Sequence, residues 1–97
     1  MNKTWYVYIM ANKKNWTLYV WVTSDLVKRI YQHKEWIIDW FTKRYGLKVF
    51  VYYEECPSIE SAIIREKQLK WWDRKQKIEL IESMNKDWND LYETIVW

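Results

Sequence analysis

Cysteine, proline and glycine each occur once in this chain, and the cysteine count excludes two kinds of stabilising site. A single cysteine, Cys56, can form neither an internal disulfide nor a cysteine-rich zinc site, which fits a reducing cytoplasm. Long uncharged apolar runs are also missing, and the first residues lack the basic-then-apolar pattern of a signal peptide. We therefore expect a cytoplasmic protein without a membrane partner.

Apolar and aromatic residues are abundant instead. Hydrophobic residues make up 49% of the 97 positions, so disorder is excluded and one core can form without disulfides. We predict a single domain over residues 1–97. The net charge of +3 is by itself a weak indication of a nucleic-acid partner. The basic residues are clustered, however, at Lys43 and Arg44 and again from Arg65 to Lys77.

The spacing of apolar residues predicts a small mixed domain. Alternation indicates strands over residues 5–10, 17–23 and 48–54. Helical spacing indicates helices over residues 25–34, from Ser58 to a break near 71–73, and over 74–84, with a last short helix around Leu91. The order β-β-α-β-α-α predicts an α/β (α+β) fold in which helices flank a three-stranded antiparallel sheet.

Residues 18–33 form a strand–helix corner at which chemically versatile side chains converge. Ser24 or Asp25 can cap the helix, and Arg29 and His33 are four residues apart and so share a face. Tyr19 lies on the strand just before them. A basic pair on a helix is more often a solvated face, and a strand tyrosine is more often a packing residue. Both interpretations stay open on this pattern alone.

Taken together, the motifs of the chain resemble the GIY-YIG nuclease domain. The resemblance is to the small branch in which the domain is the whole protein, similar to the N-terminal nuclease domain of the excinuclease family. It runs from about residue 5 to about residue 88, and the order and spacing of the motifs are more specific than any one of them. The motifs are Tyr6-Val7-Tyr8, Tyr19-Val20-Trp21, Thr23-Ser24-Asp25-Leu26, Phe41-Thr42-Lys43-Arg44-Tyr45, Val51-Tyr52-Tyr53-Glu54-Glu55 and the segment from Ala62 to Lys70.

This resemblance implies metal-dependent cleavage of DNA phosphodiester bonds, in repair or recombination. By position, Tyr19 with Tyr8 would help activate water, Arg29 would stabilise phosphate charge, and His33 stands where the family has tyrosine or histidine. Glu66 would hold one divalent metal ion, Mg²⁺ or Mn²⁺. A metal ion and a guanidinium both lower the energy of a phosphate transition state that gains negative charge.

Partners and alternatives follow from the same resemblance. DNA is the expected partner, and a second protein could supply specificity, because larger members of the family carry separate DNA-binding domains. The predicted DNA contacts are Lys43, Arg44, Lys70, Arg74 and Lys75. Glu66 could instead form a surface ion pair four residues along its helix. The alternative function is a catalytically inactive, nucleic-acid-binding relative of the same fold.

Tryptophan stands at several positions where the resemblance expects glycine. The most consequential is Trp21, because a missing side chain there would keep the cleft open, and a tryptophan would overpack it. The codon UGA is read as tryptophan in some bacterial codes and as glycine in others, so translation with the wrong code would produce this pattern. Deliberate substitution is the alternative. If the tryptophans are genuine, Trp71 and Trp72 are expected to anchor the core or a loop rather than to stack on bases. The five positions are Trp16, Trp21, Trp36, Trp40 and Trp71.

Overall fold

The structure, a computed structural model, describes residues 3–12, 17–35 and 49–96. Its elements follow the predicted order, with a short fourth helix at the end. They are β1 (Trp5–Ala11), β2 (Leu18–Thr23), α1 (Leu26–Lys34), β3 (Val49–Cys56), α2 (Ile59–Trp71), α3 (Arg74–Met84) and α4 (Tyr92–Ile95). The α+β fold with a three-stranded antiparallel sheet is thereby confirmed, although β3 ends two residues later than predicted.

The strand order β2-β1-β3 places β1 in the centre of the sheet, hydrogen-bonded on both sides. Tyr8 pairs with Trp21 of β2 and with Tyr53 of β3. The register against β3 shifts between Ile9 and Met10, which pair with Tyr52 and Phe50. Such a bulge changes the alternation of a strand, and it explains why neighbours Val51 and Tyr52 face the same core cluster.

The two faces of the sheet carry separate hydrophobic clusters. Val7 and Ile9 face helices α2 and α3 and belong to one cluster with Ala62 and Leu69 of α2 and Ile81 of α3. We call this side the α2 face. Tyr8, Met10 and Phe50 face the opposite way, against Leu26 and Ile30 of helix α1, and this side is the α1 face. The alternation predicted for β1 is thus observed, because successive strand residues point to opposite faces.

Side-chain caps define where the helices begin. Asp25, rather than Ser24, caps α1 by accepting from the Lys28 N–H, and the predicted cap Ser58 forms a capping box with Ser61 at the start of α2. Asp73 caps α3 in the same way with Gln76, which explains the predicted break. Ile59 and Ile63, two of the apolar positions whose spacing indicates this helix, are 39% and 40% exposed, so the buried stripe of α2 is narrower than its apolar pattern. In the described part of the chain, no helix has the length and apolarity to span a bilayer.

Candidate active site

Tyr8 and His33 form a buried hydrogen-bonded pair on the α1 face. The Tyr8 hydroxyl and the Nε2 atom of His33 are 2.8 Å apart, and the two rings meet edge-on. Each residue is only 1% exposed. The central strand positions the phenol and α1 positions the imidazole, so two predicted catalytic residues from different motifs meet directly. A hydrogen-bonded phenol and imidazole can pass a proton between them.

The indole of Trp21 lies against this pair. Its ring centroid is 4.7 Å from that of His33 and 6.0 Å from that of Tyr8, and it stacks on Tyr19 at 5.9 Å. Trp21 is half-buried and extends the aromatic cluster toward the edge strand. The predicted catalytic tyrosines are therefore brought into one cluster, and the side chain that joins them is the one for which the resemblance expects glycine.

Arg29 and His33 have different environments, although they are one helical turn apart. His33 is buried against the sheet, whereas Arg29 is exposed and lines a surface cavity at the beginning of α1. The interpretation of this pair as a solvated helix face is therefore wrong for His33. A buried imidazole next to an exposed guanidinium is suited to divided roles, one in proton transfer and the other in charge stabilisation.

Glu66 lies on the side of α2 that faces the sheet. It comes four residues after Ala62 and three before Leu69, both of which are fully buried. Its side chain is 19% exposed and forms an ion pair of 2.9 Å with Lys70, so the alternative of an ion pair along the helix is realised. Helix α2 covers the face opposite to the Tyr8–His33 pair and packs against β1 and β2, so Glu66 comes from a different element than the pair.

A half-buried polar network beside Glu66 was not predicted from the sequence. The Arg65 guanidinium donates to both carboxylate oxygens of Glu54, at 2.8 to 3.1 Å, and stacks over Trp72. Tyr52 donates to the same carboxylate at 2.6 Å. Burial raises the pKa of Glu54, but the hydrogen bonds from Arg65 and Tyr52 outweigh it, so this pKa lies below its ordinary value. Glu54 and Arg65 belong to the motifs of the family resemblance, yet only the fold brings them together.

The predicted DNA contacts on α2 and α3 lie at the junction of these helices. Lys70, Arg74 and Lys75 are all exposed there. Lys77 joins them, and its pKa is lowered by burial and by the nearby charges of Arg74 and Lys70. Cations that repel one another in this way form a patch of positive potential. Lys43 and Arg44 lie outside the described residues.

Of the five tryptophan positions at which the resemblance expects glycine, two lie among the described residues. Trp21 is extended within β2 and Trp71 ends α2, so neither occupies the left-handed backbone region. Among the described non-glycine residues, only Trp88 has a positive φ, at 57°. Trp71 is 88% exposed, so the expectation that it anchors a core or loop is wrong, whereas Trp72 packs against the α2-face cluster. Trp16, Trp36 and Trp40 lie outside the described residues.

Comparison with known families defines the class of this protein. Residues 4–79 match the GIY-YIG catalytic domain, and the chain belongs to this family. The matched range contains Tyr8, Tyr19, Arg29, His33 and Glu66, and the family places the chain in a nuclease superfamily.

Particular relatives are found within that class. The chain is 36% identical over 77 residues to the UPF0213 protein SH2523 of Staphylococcus haemolyticus, a match that covers 79% of this chain and 93% of the relative. Its fold is similar to the solution NMR structure of the UPF0213 protein BH0048 from Bacillus halodurans. That similarity has a TM-score of 0.58 at 24% identity and covers 97% of this chain and 99% of the other.

Proposed function

We propose that the protein is a metal-dependent endonuclease that cleaves DNA phosphodiester bonds, in repair or recombination. The observation that supports this most directly is the 2.8 Å contact between the Tyr8 hydroxyl and His33 Nε2. Packing alone does not require a hydroxyl at the centre of a strand. A phenol paired with an imidazole can accept a proton from an attacking water and return it to a leaving oxygen.

The chain's own residues divide the reaction between them. The Tyr8–His33 pair takes the proton of the water whose oxygen forms the new bond to phosphorus. The bond from phosphorus to the leaving oxygen breaks, and that oxygen receives a proton. Arg29 stabilises the charge that gathers on the phosphate oxygens, since a guanidinium can donate two parallel hydrogen bonds to phosphate. Tyr19 positions the aromatic cluster next to this site.

Glu66 is the residue that would hold a divalent metal ion. In the described ranges, no group of three or more His, Cys, Asp or Glu side chains forms a ready-made metal cluster. A single carboxylate still fits Mg²⁺, which keeps several waters and takes its other ligands from substrate phosphates. The exposed Lys70 would have to release the carboxylate first. The ion would supply Lewis-acid stabilisation of the phosphate.

Replacement of Glu66 tests the proposal. We expect Glu66→Gln to abolish Mg²⁺- or Mn²⁺-dependent cleavage of a labelled duplex and of supercoiled plasmid, while DNA binding in EDTA is retained. Glu60→Gln is the matched control, because Glu60 is exposed on the same helix and undergoes the same chemical change. Cleavage by Glu66→Gln at the wild-type rate would contradict the assignment of this residue.

Trp21 favours the second candidate function, a nucleic-acid-binding relative that does not cleave. Its indole lies against both members of the proton-transfer pair, and both are 1% exposed. A phosphate cannot reach buried groups directly. Binding of DNA without cleavage in any divalent metal, by the wild type, would establish this alternative.

A further inference from the structure

A basic cavity lies at the start of helix α1. Of the predicted site residues that the structure describes, Arg29 alone is among its lining residues. Its volume is about 420 Å³, and it is formed by two separate parts of the chain, the segment before β1 and the β2–α1 corner. Cationic and polar side chains line it. Those that bear on the argument are Lys3, Thr23, Asp25, Lys28, Arg29 and Gln32.

Among the lining residues of this cavity, cationic side chains outnumber acidic ones, and Glu55 shares only a neighbouring cavity with Lys3. In residues 3–12, 17–35 and 49–96, none of Lys3, Lys28 and Arg29 forms an ion pair with a carboxylate. Asp25 is the one acidic side chain of the lining, and its carboxylate caps α1 by accepting from the Lys28 N–H at 3.2 Å. Three cationic side chains therefore face one engaged carboxylate, and the positive end of the α1 dipole adds to them.

The geometry of α1 connects this cavity to the Tyr8–His33 pair. Gln32 follows Lys28 by four residues and Arg29 by three, so the three side chains lie on one side of the helix. Arg29 is one turn before His33, which corresponds to about 6 Å along the helix axis. Neighbouring phosphates of one nucleic-acid strand can span such a step. Because Arg29, which would contact the cleaved phosphate, lines this same cavity, a strand held there would bring its next phosphate to Lys3 and Lys28.

We propose that Lys3 and Lys28 form a subsite for a backbone phosphodiester next to the one that is cleaved. The proposal rests on the proposed function for the position of the strand, although the binding it describes does not require cleavage. The ligand is a phosphodiester of DNA, held by two lysine charges and by the Gln32 amide as a hydrogen-bond donor. Contacts of this type position a strand without reading its sequence.

The salt dependence of DNA binding in EDTA measures these contacts separately from catalysis. Each phosphate contact contributes about 0.9 to the slope of log K against log salt on duplex DNA. We expect Lys3→Ala and Lys28→Ala each to reduce that slope by about 1, equally for duplexes of different sequence. The wild type should therefore lose about 3.5-fold more affinity than either variant between 50 and 200 mM salt.

Lys86→Ala is the matched control, since Lys86 is an exposed lysine outside the cavity, in the turn after α3. Circular dichroism should show unchanged folding in all three variants. A charge reversal, Lys28→Glu, extends the test and should weaken binding further than the alanine variant.

Titration with inorganic phosphate distinguishes a phosphodiester subsite from a site for a free anion. An unchanged slope in both alanine variants overturns the proposal, and so does a slope that changes equally in Lys86→Ala. Tight binding of inorganic phosphate in the cavity, with no effect of the variants on DNA binding, overturns it as well. A wild type that binds DNA with the expected slope but does not cleave refutes the nuclease and leaves the subsite intact. Cleavage by the wild type with an unaltered salt slope in the variants refutes the subsite and leaves the nuclease proposal intact.

Discussion

Substitution of Trp21 by glycine is expected to lower stability and raise activity together. The indole is half-buried and touches three aromatic rings, of Tyr8, Tyr19 and His33. Removal of a fully buried tryptophan side chain costs about 3–5 kcal/mol, and glycine in a strand costs about 0.5–1 kcal/mol more. For a half-buried side chain on an edge strand we therefore expect a loss of about 2–4 kcal/mol in the free energy of unfolding.

The same change should expose the Tyr8–His33 pair. General acid–base groups contribute about 10²- to 10⁴-fold to a rate, so uncovering them should raise cleavage by about 10²-fold or more. Urea unfolding followed by circular dichroism gives the stability, and relaxation of supercoiled plasmid with Mg²⁺ or Mn²⁺ gives the activity, at a temperature well below the variant's unfolding transition.

A matched control separates access from a general loss of packing. Trp5 is also half-buried, but it packs on the α2 face, away from the site. Trp5→Gly should lose stability without any gain in cleavage. If Trp21→Gly cleaves no faster than the wild type while it remains folded, the reasoning that the indole covers the site is refuted.

The codons of the source gene give independent information on the same position. UGA at positions 16, 21, 36, 40 and 71, with UGG at 5, 72 and 88, would mean that the glycine form is the one to assay. UGG at all of these positions would mean that Trp21 is genuine. The binding-only function would then gain support.

Two further substitutions and one labelling experiment test the remaining contacts. Tyr8→Phe keeps the ring packing but removes the 2.8 Å hydrogen bond to His33, so we expect at least a tenfold loss of cleavage in plasmid assays and about 1 kcal/mol of unfolding free energy; unchanged cleavage would remove Tyr8 from the reaction. Because the pKa of Glu54 is lowered in the folded state, its pairing with Arg65 stabilises the protein above the ordinary carboxyl pKa and is lost as pH falls through the lowered value. Glu54→Gln should therefore cost about 1–3 kcal/mol at pH 7 and progressively less as the pH is lowered in urea titrations, and a cost that does not change with pH would contradict the pairing. Burial raises the pKa of the Cys56 thiol, so native protein should react with a thiol reagent only on the timescale of unfolding, and immediate reaction without denaturant would be inconsistent with that burial.

The fold could be predicted from the sequence because local patterns agree with the tertiary structure in most elements. Alternation in β1 places Val7 and Tyr8 on opposite faces, as observed, and the helix predicted over residues 74–84 begins and ends at those residues. Ile59 and Ile63 are exposed although they fit the apolar spacing, because that spacing does not show how much of a helix the sheet can cover. The shift in the β1–β3 register could not be predicted, because a bulge inserts one residue without a sequence signal of its own.

The candidate site was predictable only residue by residue. The motifs pointed to Tyr8, Tyr19, Arg29, His33 and Glu66, and the family match places all of them in the catalytic domain. Their roles remain predictions. Which residues touch could not be read from the sequence, since the Tyr8–His33 contact joins positions 25 residues apart. The surroundings of Glu66 likewise depend on which face of the sheet α2 covers.

The central position of β1 ties the chemistry of this protein to its stability. Each step along the strand alternates between a residue of the core and a residue of the aromatic cluster, as with Val7 and Tyr8. An insertion or deletion of a single residue in β1 would exchange the two sets, because the side-chain period of a strand is two. Evolution can therefore lengthen or shorten the loops of this domain while the length of β1 stays fixed. Homologues should accumulate their gaps in the loops rather than in this strand.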